Sequence, residues 1–179
     1  SEIRLSPDKR NSLQGELRNL FVGLREDVSH ALNNMPVNAE AKDKILSYGE
    51  RMSTRILEAK CLEEGVRAVV VDAFDVIKTD ESFGEAQPDF EKTKIKACSR
   101  INPFLNKNNL VIVAGFIGST KDGRRTTLGR GGSDYTASIL GWALDAKEVW
   151  IWTDVNGVFT NDPSKDRTAK FISKMRFDE

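Results

Sequence analysis

The sequence predicts an α/β fold in which helices cover both faces of a mostly parallel sheet. Three short runs, rich in β-branched or aromatic residues, have the composition of buried strands: Arg67–Asp72, Leu110–Ala114 and Glu148–Trp152. Segments with helical periodicity lie between them, and strands that alternate with helices are typical of parallel sheets. We expect residues 66–179 to form this α/β part and residues 1–65 to be a mainly helical elaboration at one side.

Four segments carry helical signals. From Ser12 to Met35, apolar residues recur at three- and four-residue steps and form one stripe. The next helix runs from the N-cap residue Asn38 to Glu64. It contains Gly49, which costs about 1 kcal/mol relative to alanine and often marks close packing or close approach by another group. Two further helices are expected at Phe90–Ser99, ahead of Asn102-Pro103, and from a cap at Ser133 or Asp134 to about Leu144.

Charge and hydropathy argue against nucleic acid and membrane as partners. Lysine plus arginine and aspartate plus glutamate number 27 each, so the net charge is zero, whereas nucleic-acid binding by phosphate neutralisation favours a basic excess. The longest apolar stretch, Leu110–Ile117, is far shorter than the ~20 residues needed to cross a bilayer. We therefore expect neither partner.

The cysteines and the histidine predict no metal site. Cys61 and Cys98 fall in helical segments without metal-ligand spacing, and His30 is the only histidine. We interpret the two cysteines as reduced thiols of a cytoplasmic protein, and His30 as a surface or helix-end residue.

A glycine-rich, basic loop from Gly115 to Gly132 follows the second strand. Ligands of open parallel sheets bind at the carboxyl ends of the strands, and the following helix offers free N–H groups. Arg124, Arg125 and Arg130 add donors suited to carboxylate or phosphate. The loop is neither a Walker A motif nor a dinucleotide fingerprint, so it predicts an anion site of another kind. Spacing alone leaves open a flexible connection without function.

A second polar segment, Trp152–Pro163, follows the third predicted strand. Its turn signals place Thr153 and Asp154 just past a strand end, where a hydroxyl and a carboxylate can meet a ligand. The alternative is a hairpin-like excursion in which Asp154 caps a turn.

Both segments resemble the aspartate kinase family. Gly129–Ala137 is similar to the family's substrate signature, and Trp152–Pro163 follows it in the family's order and nearly its spacing. Upstream, Gly49-Glu50 with Ser53 resembles the family's helical glycine–glutamate motif. Further matches are Gly115–Gly118, Thr126–Leu128, Asp80, Phe83 and Gly84. The resemblance covers most of the chain from about Asn38 onward.

The resemblance implies the amino-acid kinase fold, a three-layer α/β/α sandwich with a mostly parallel sheet. It also implies transfer of the γ-phosphoryl group of ATP to the β-carboxylate of L-aspartate, the first step towards lysine, threonine and methionine. The implied cofactors are ATP and the Mg²⁺ that it carries, and the implied partners are L-aspartate and ATP. The parent protein would be a cytoplasmic homo-oligomer.

Residue roles follow from the same resemblance. Arg130 would clamp the substrate's α-carboxylate, and Glu50 would meet its α-ammonium group. Gly131, Gly132 and Ser133 would supply close contacts, and Asp134 would orient a basic residue near the transferred phosphoryl group. The alternative for Glu50 is a solvated helix carboxylate, and for Asp134 a helix N-cap.

The nucleotide side is implied to include Thr153, Asp154 and Phe159. Phe159 stands where tyrosine is common in the family, and Ser164 where arginine is usual. We hypothesise that Lys165 takes over the phosphate contact weakly, as a point charge. Phe116 could face the substrate, although core packing is the more common use of a strand-end aromatic.

Two departures from the family concern the whole chain. The family's opening strand with its Lys-Phe-Gly-Gly-Thr-Ser loop does not occur here, and the sequence stops at Glu179 ahead of the regulatory domains. We therefore expect a partial catalytic domain that is inactive alone.

Two other functions are compatible with the sequence. One is that of a kinase acting on glutamate, acetylglutamate or a nucleotide, and the other is that of a non-catalytic amino-acid sensor on the same fold. The sequence leaves open a fusion to homoserine dehydrogenase.

Overall fold

The helical pattern of the first 65 residues folds into two long helices, α1 (Pro7–Asn33) and α2 (Ala39–Glu63). The computed structural model describes residues 5–153 and 157–176. Its contacts divide the chain into two units, residues 1–149 and 150–179, which are described separately. Among the described residues, no helix is long and apolar enough to cross a membrane.

The two helices lie side by side and are joined by polar contacts. The Tyr48 hydroxyl of α2 donates to the Asp27 carboxylate of α1 at 2.8 Å. Asn38 caps α2 as predicted, because its Oδ1 accepts from the Ala41 N–H at 2.8 Å. The close packing suggested for Gly49 is wrong within the described part, since an added Cβ there would meet nothing within 4 Å.

A parallel sheet and its crossover form the centre of the first unit. Strands β1 (Ala68–Val71) and β2 (Leu110–Val113) pair in parallel, with Val70 opposite Ile112. The connection contains the short helix α3 (Ala73–Val76) and the longer α4 (Phe90–Leu105). Helices α2 and α4 both pack on this sheet. The α/β prediction is confirmed.

Helix α4 is longer than the sequence predicted. It continues through Pro103 to Leu105 instead of ending before Asn102-Pro103. Proline removes one helical hydrogen bond, but the last turns are held by Ile101, which is fully buried in the core. The free energy gained by burying Ile101 outweighs the tendency of Asn102-Pro103 to end the helix.

A β-hairpin stands inside the segment predicted as a long loop. Strands β3 (Ile117–Ser119) and β4 (Arg125–Thr127) pair antiparallel. The turn between them is closed at Thr120, whose N–H donates to the Arg124 carbonyl at 2.9 Å and whose hydroxyl accepts from the Arg124 N–H at 3.0 Å. The prediction of one continuous loop from 115 to 132 is therefore wrong.

Helix α5 (Gly132–Ala143) begins without a side-chain cap. Gly131 occupies the N-cap position with a φ of 73°, so the predicted cap at Ser133 or Asp134 is wrong. The predicted strand at 148–152 is also wrong, because no strand of the described part pairs with this segment. Trp150 and Trp152 are 70% and 86% exposed. A strand needs a hydrogen-bonded neighbour, whatever its composition.

The main core lies where α4, α5 and the β1–β2 sheet meet. Its buried side chains are small or aliphatic, as close packing between these layers requires. Its members are Val71, Val76, Ile77, Ala97, Ile101, Leu128, Ile139 and Ala143.

One buried carboxylate fastens α2 to β4. Asp43 is 1% exposed. Its Oδ2 accepts from the backbone N–H groups of Gly84 and Thr127, both at 2.8 Å, and its Oδ1 accepts from the Thr127 hydroxyl at 2.8 Å. These charge-assisted bonds join a helix, a strand and a loop that are far apart in sequence.

We predict that Asp43→Ala lowers the free energy of unfolding by about 3 kcal/mol, because it leaves the buried N–H of Thr127 and the partly buried N–H of Gly84 without an acceptor. Urea denaturation followed by circular dichroism measures this loss. Lys42→Ala, at an exposed position of the same helix, is the control and should change stability by less than about 0.5 kcal/mol. Equal losses in the two variants would contradict the fastening role of Asp43.

Candidate functional site

The five residues predicted to bind the substrate, and Asp134, predicted to orient a basic residue, line one cleft of about 390 Å³. Helix α2 contributes Glu50, and the loop between β4 and α5 contributes Arg130 and Gly131. The first turn of α5 contributes Gly132, Ser133 and Asp134. The remaining lining residues are Phe116 and Gly129. This cleft is called the glycine cleft below.

Glycines allow the loop to fold tightly at the start of α5. Gly129 and Gly131 have φ values of 75° and 73°, which residues with a Cβ rarely adopt. The turn is closed by the Gly132 N–H, which donates to the Gly129 carbonyl at 3.1 Å. Arg130 lies between the two glycines, so the turn presents its exposed side chain at the cleft.

The end of β2 and the start of α5 are in direct backbone contact. A Cβ at Gly115 would lie 2.8 Å from the Ser133 Cα, and one at Gly132 would lie 2.9 Å from the Phe116 ring. Thr136 ties the same two segments together: its hydroxyl accepts from the Phe116 N–H at 3.0 Å and donates to the Gly132 carbonyl at 2.7 Å. The position of Ser133 thus depends on contacts that only glycine permits.

Phe116 has a left-handed backbone, with a φ of 70°. This conformation is costly for a bulky side chain and persists only where the surroundings impose it. Here Thr136 fixes its N–H, and the Leu128 N–H donates to its carbonyl at 2.8 Å. Phe116 packs against the small core cluster of Ala73, Ala114 and Ile117 and also lines the cleft. Phe116 therefore packs in the core and also borders the cleft in which a substrate could face it.

The charges of the glycine cleft suit a small zwitterion. The Ser133 and Asp134 N–H groups belong to the first turn of α5, where helix N–H groups lack intrahelical acceptors and the helix dipole favours anions. The Arg130 guanidinium adds a donor fork for a carboxylate, and Glu50 offers an acceptor for an ammonium group.

The residues predicted for the nucleotide side belong to the second unit. Phe159 packs edge-on against Phe171, with ring centroids 5.7 Å apart. The Lys165 ammonium group pairs with Asp162 at 3.1 Å, and its side chain is 83% exposed. Thr153 is exposed, and Asp154 lies outside the described residues. The Asp162-Pro163 turn is confirmed, because the Lys165 N–H donates to the Asp162 carbonyl at 3.0 Å.

Known proteins match this chain over nearly its whole length. The profile of the amino acid kinase family matches residues 10–179. The chain belongs to the amino acid kinase family. Lysine-sensitive aspartokinase 3 of Escherichia coli is 43% identical over 165 residues, which are 87% of this chain and 36% of that protein. An aspartokinase of Geobacillus stearothermophilus is 39% identical over 170 residues, 94% of this chain and 39% of that protein.

A solved structure of a family member agrees with the fold. Escherichia coli aspartokinase III in complex with aspartate and ADP has a TM-score of 0.85 and 40% identity over 90% of this chain. It confirms the predicted amino-acid kinase fold and the predicted similarity to aspartate kinases. The chain spans 36% of that protein, well under half the length of these relatives.

We predict that Gly115→Ala destabilises the protein by about 1–3 kcal/mol, because the new methyl group would collide with the Ser133 backbone. Thermal unfolding measures the change. Gly15→Ala, in an exposed turn of α1 with nothing within 4 Å, is the matched control and should stabilise by up to about 1 kcal/mol. A Gly115→Ala protein as stable as the wild type would show that the contact with Ser133 can relax without cost.

Proposed function

We propose that the protein containing this chain is an aspartate kinase, which transfers the γ-phosphoryl group of ATP to the β-carboxylate of L-aspartate and yields aspartyl phosphate. The observation that carries the proposal is the glycine cleft, whose lining combines Glu50 with Arg130 and the first turn of α5. An amino acid presents a carboxylate and an ammonium group together, and this lining has a partner for each. The similarity to aspartokinases supports the choice of substrate.

Each cleft residue has a role in this proposal. Arg130 clamps the α-carboxylate, Glu50 accepts from the α-ammonium group, and the small Gly131 and Gly132 let the substrate approach the backbone. Ser133 adds a hydroxyl and an N–H donor at the helix start. Asp134 orients a basic residue that neutralises charge on the transferred phosphoryl group. Phosphoryl transfer depends mainly on such positioning and charge stabilisation.

The nucleotide is proposed to bind at the second unit. Thr153, Asp154, Phe159 and Lys165 are its proposed contacts, and Mg²⁺ arrives with ATP as part of the substrate. The solved complex of Escherichia coli aspartokinase III with aspartate and ADP supports aspartate and an adenine nucleotide as the two ligands. We further propose a cytoplasmic homo-oligomer acting at the first step of lysine, threonine and methionine biosynthesis.

The activity is tested on the complete protein that contains these residues. Aspartyl phosphate is trapped as its hydroxamate after incubation with ATP and L-aspartate, and L-glutamate and N-acetyl-L-glutamate are supplied in parallel. Of the three acids, we expect only L-aspartate to give the hydroxamate. Product from either of the other acids would assign a sister kinase, and aspartate binding without any product would assign a non-catalytic sensor.

We predict that Arg130→Ala raises the Michaelis constant for aspartate about 10- to 100-fold, since a charge-assisted clamp of about 1.5–3 kcal/mol is lost. The Michaelis constant for ATP should change little. Arg100→Ala removes an equal charge from an exposed position of α4 and should leave both constants unchanged. Equal increases for both ligands in Arg130→Ala would assign Arg130 to the phosphates or to folding.

We predict that Lys165→Ala raises the Michaelis constant for ATP, because its ammonium group replaces the phosphate contact missing at Ser164. Ser164→Arg should lower or preserve that constant, since a guanidinium fork is added. Lys174→Ala, at another exposed lysine of the second unit, is the control. If Lys165→Ala behaves like Lys174→Ala, Lys165 serves only its pair with Asp162.

A further inference from the structure

A second cleft, of about 370 Å³, opens between α1, α2 and β4, and arginines dominate its lining. Arg51 and Arg55 come from α2, and Arg125 comes from β4. This cleft is called the arginine cleft below. Its other lining residues are Glu16, Asn19, Leu20 and Tyr48. None of its residues lines the glycine cleft, so the proposed aspartate site leaves it without a use.

The guanidinium group of Arg125 is packed against aromatic rings instead of a carboxylate. Its Cζ lies 5.1 Å from the centroid of the Tyr48 ring and 5.0 Å from that of the Phe74 ring. Within residues 5–153 and 157–176, its Nη1 is enclosed and has no hydrogen-bond acceptor. Asp27 acts on Arg125 electrostatically, but the Asp27 oxygens are already bonded to Lys44 at 2.6 Å and Tyr48 at 2.8 Å.

Arg51 is crowded against the same two rings. Its Cζ lies 5.4 Å from the ring centroids of both Tyr48 and Phe74. Burial, and after it the positive charge of Arg125, lower the pKa of Arg51. Two partly desolvated cations are therefore held close together, which is unfavourable unless an anion compensates them.

The carboxylates of the described part compensate this charge poorly. Asp72 is 3.9 Å from the Arg51 Nε and is shared with Arg55, whose Nη2 is 3.8 Å away. Both separations exceed hydrogen-bond length. Glu16 and Glu58 pair with Arg55, at 3.6 Å and 3.7 Å. No carboxylate of the described part thus lies within hydrogen-bond distance of the Arg51 or Arg125 guanidinium group.

We propose that the arginine cleft binds an oxyanion, the phosphate or carboxylate group of a small molecule, through Arg51 and Arg125 with Arg55 beside them. Guanidinium groups form bidentate hydrogen bonds with both kinds of oxyanion. The rings of Tyr48 and Phe74 hold the two groups in place, so little ordering accompanies binding. The volume is that of a small-molecule site.

Glu16 allows a second, independent test of anion binding in the arginine cleft. Its carboxylate is 3.6 Å from the Arg55 Nε and about half exposed at the rim of the cleft. A negative charge at that place repels an incoming anion. Removing it should therefore strengthen binding, an effect opposite in sign to the loss of an arginine.

The test is isothermal titration of the complete protein with inorganic phosphate and, separately, with succinate as a carboxylate probe, at constant ionic strength in chloride. Arg125→Gln should weaken binding at least tenfold, and Glu16→Gln should strengthen it a few-fold. Arg25→Gln removes the same charge from an exposed position of α1 and should bind like the wild type. The Arg125→Gln protein should unfold at or above the wild-type temperature, because the substitution removes a desolvated charge. An unchanged unfolding temperature shows that weaker binding does not result from loss of folding.

Each outcome decides the proposal. Binding of phosphate alone, or of succinate alone, supports the proposal if Arg125→Gln weakens it, and it then identifies which group the cleft prefers. Absence of binding to both probes at millimolar concentration overturns it, as does binding that survives Arg125→Gln or falls equally in Arg25→Gln. Phosphate held at the nucleotide side would survive Arg125→Gln and so count against it. The hydroxamate assay is independent, so failure here leaves the proposed kinase activity standing.

Discussion

The hydrogen bonds between Asp43 and Thr127 hold helix α2 against β4, and both sides of the glycine cleft depend on this junction. Glu50 follows Asp43 by seven residues on α2, which is two helical turns, so the two lie on one face and about 10 Å apart along the axis. Thr127 precedes Arg130 by three residues. The two sides of the glycine cleft are therefore positioned from one buried junction, at 2.8 Å for each bond. Disturbing that junction would move the acidic side of the cleft relative to the basic side.

Long periodic segments and long motifs could be predicted from the sequence. Helix α1 carries an apolar stripe through many turns, and α2 begins after the cap residue Asn38, so both helices were foreseeable. The strands β1 and β2 are continuous apolar runs, typical of buried parallel pairs. The five cleft residues from Arg130 to Asp134 belong to one motif, where adjacency in sequence at a strand-to-helix turn also means adjacency in space. Glu50 came from a separate family motif on α2.

Other features depend on contacts that no local pattern records. Strands β3 and β4 have three residues each, too few for a period-two signal. Helix α4 passes Pro103 because Ile101 is buried, and the apolar run at 148–152 lacks a partner strand in the described part. Asp43 resembles any charged helix residue in the sequence, yet it is buried by segments more than 40 residues away. Tertiary packing decides each of these cases.

Neighbouring residues of α2 serve the two clefts, and this follows from helix geometry. Successive helical side chains point about 100° apart, so Glu50 can line the glycine cleft while Arg51 lines the arginine cleft. On β4, Arg125 and Thr127 share one face of the strand, since strand residues alternate. An oxyanion between Arg51 and Arg125 would thus join α2 to β4, the two elements that Asp43 already joins. Both clefts are thus lined by residues of α2 and lie beside the junction at which Asp43 joins that helix to β4.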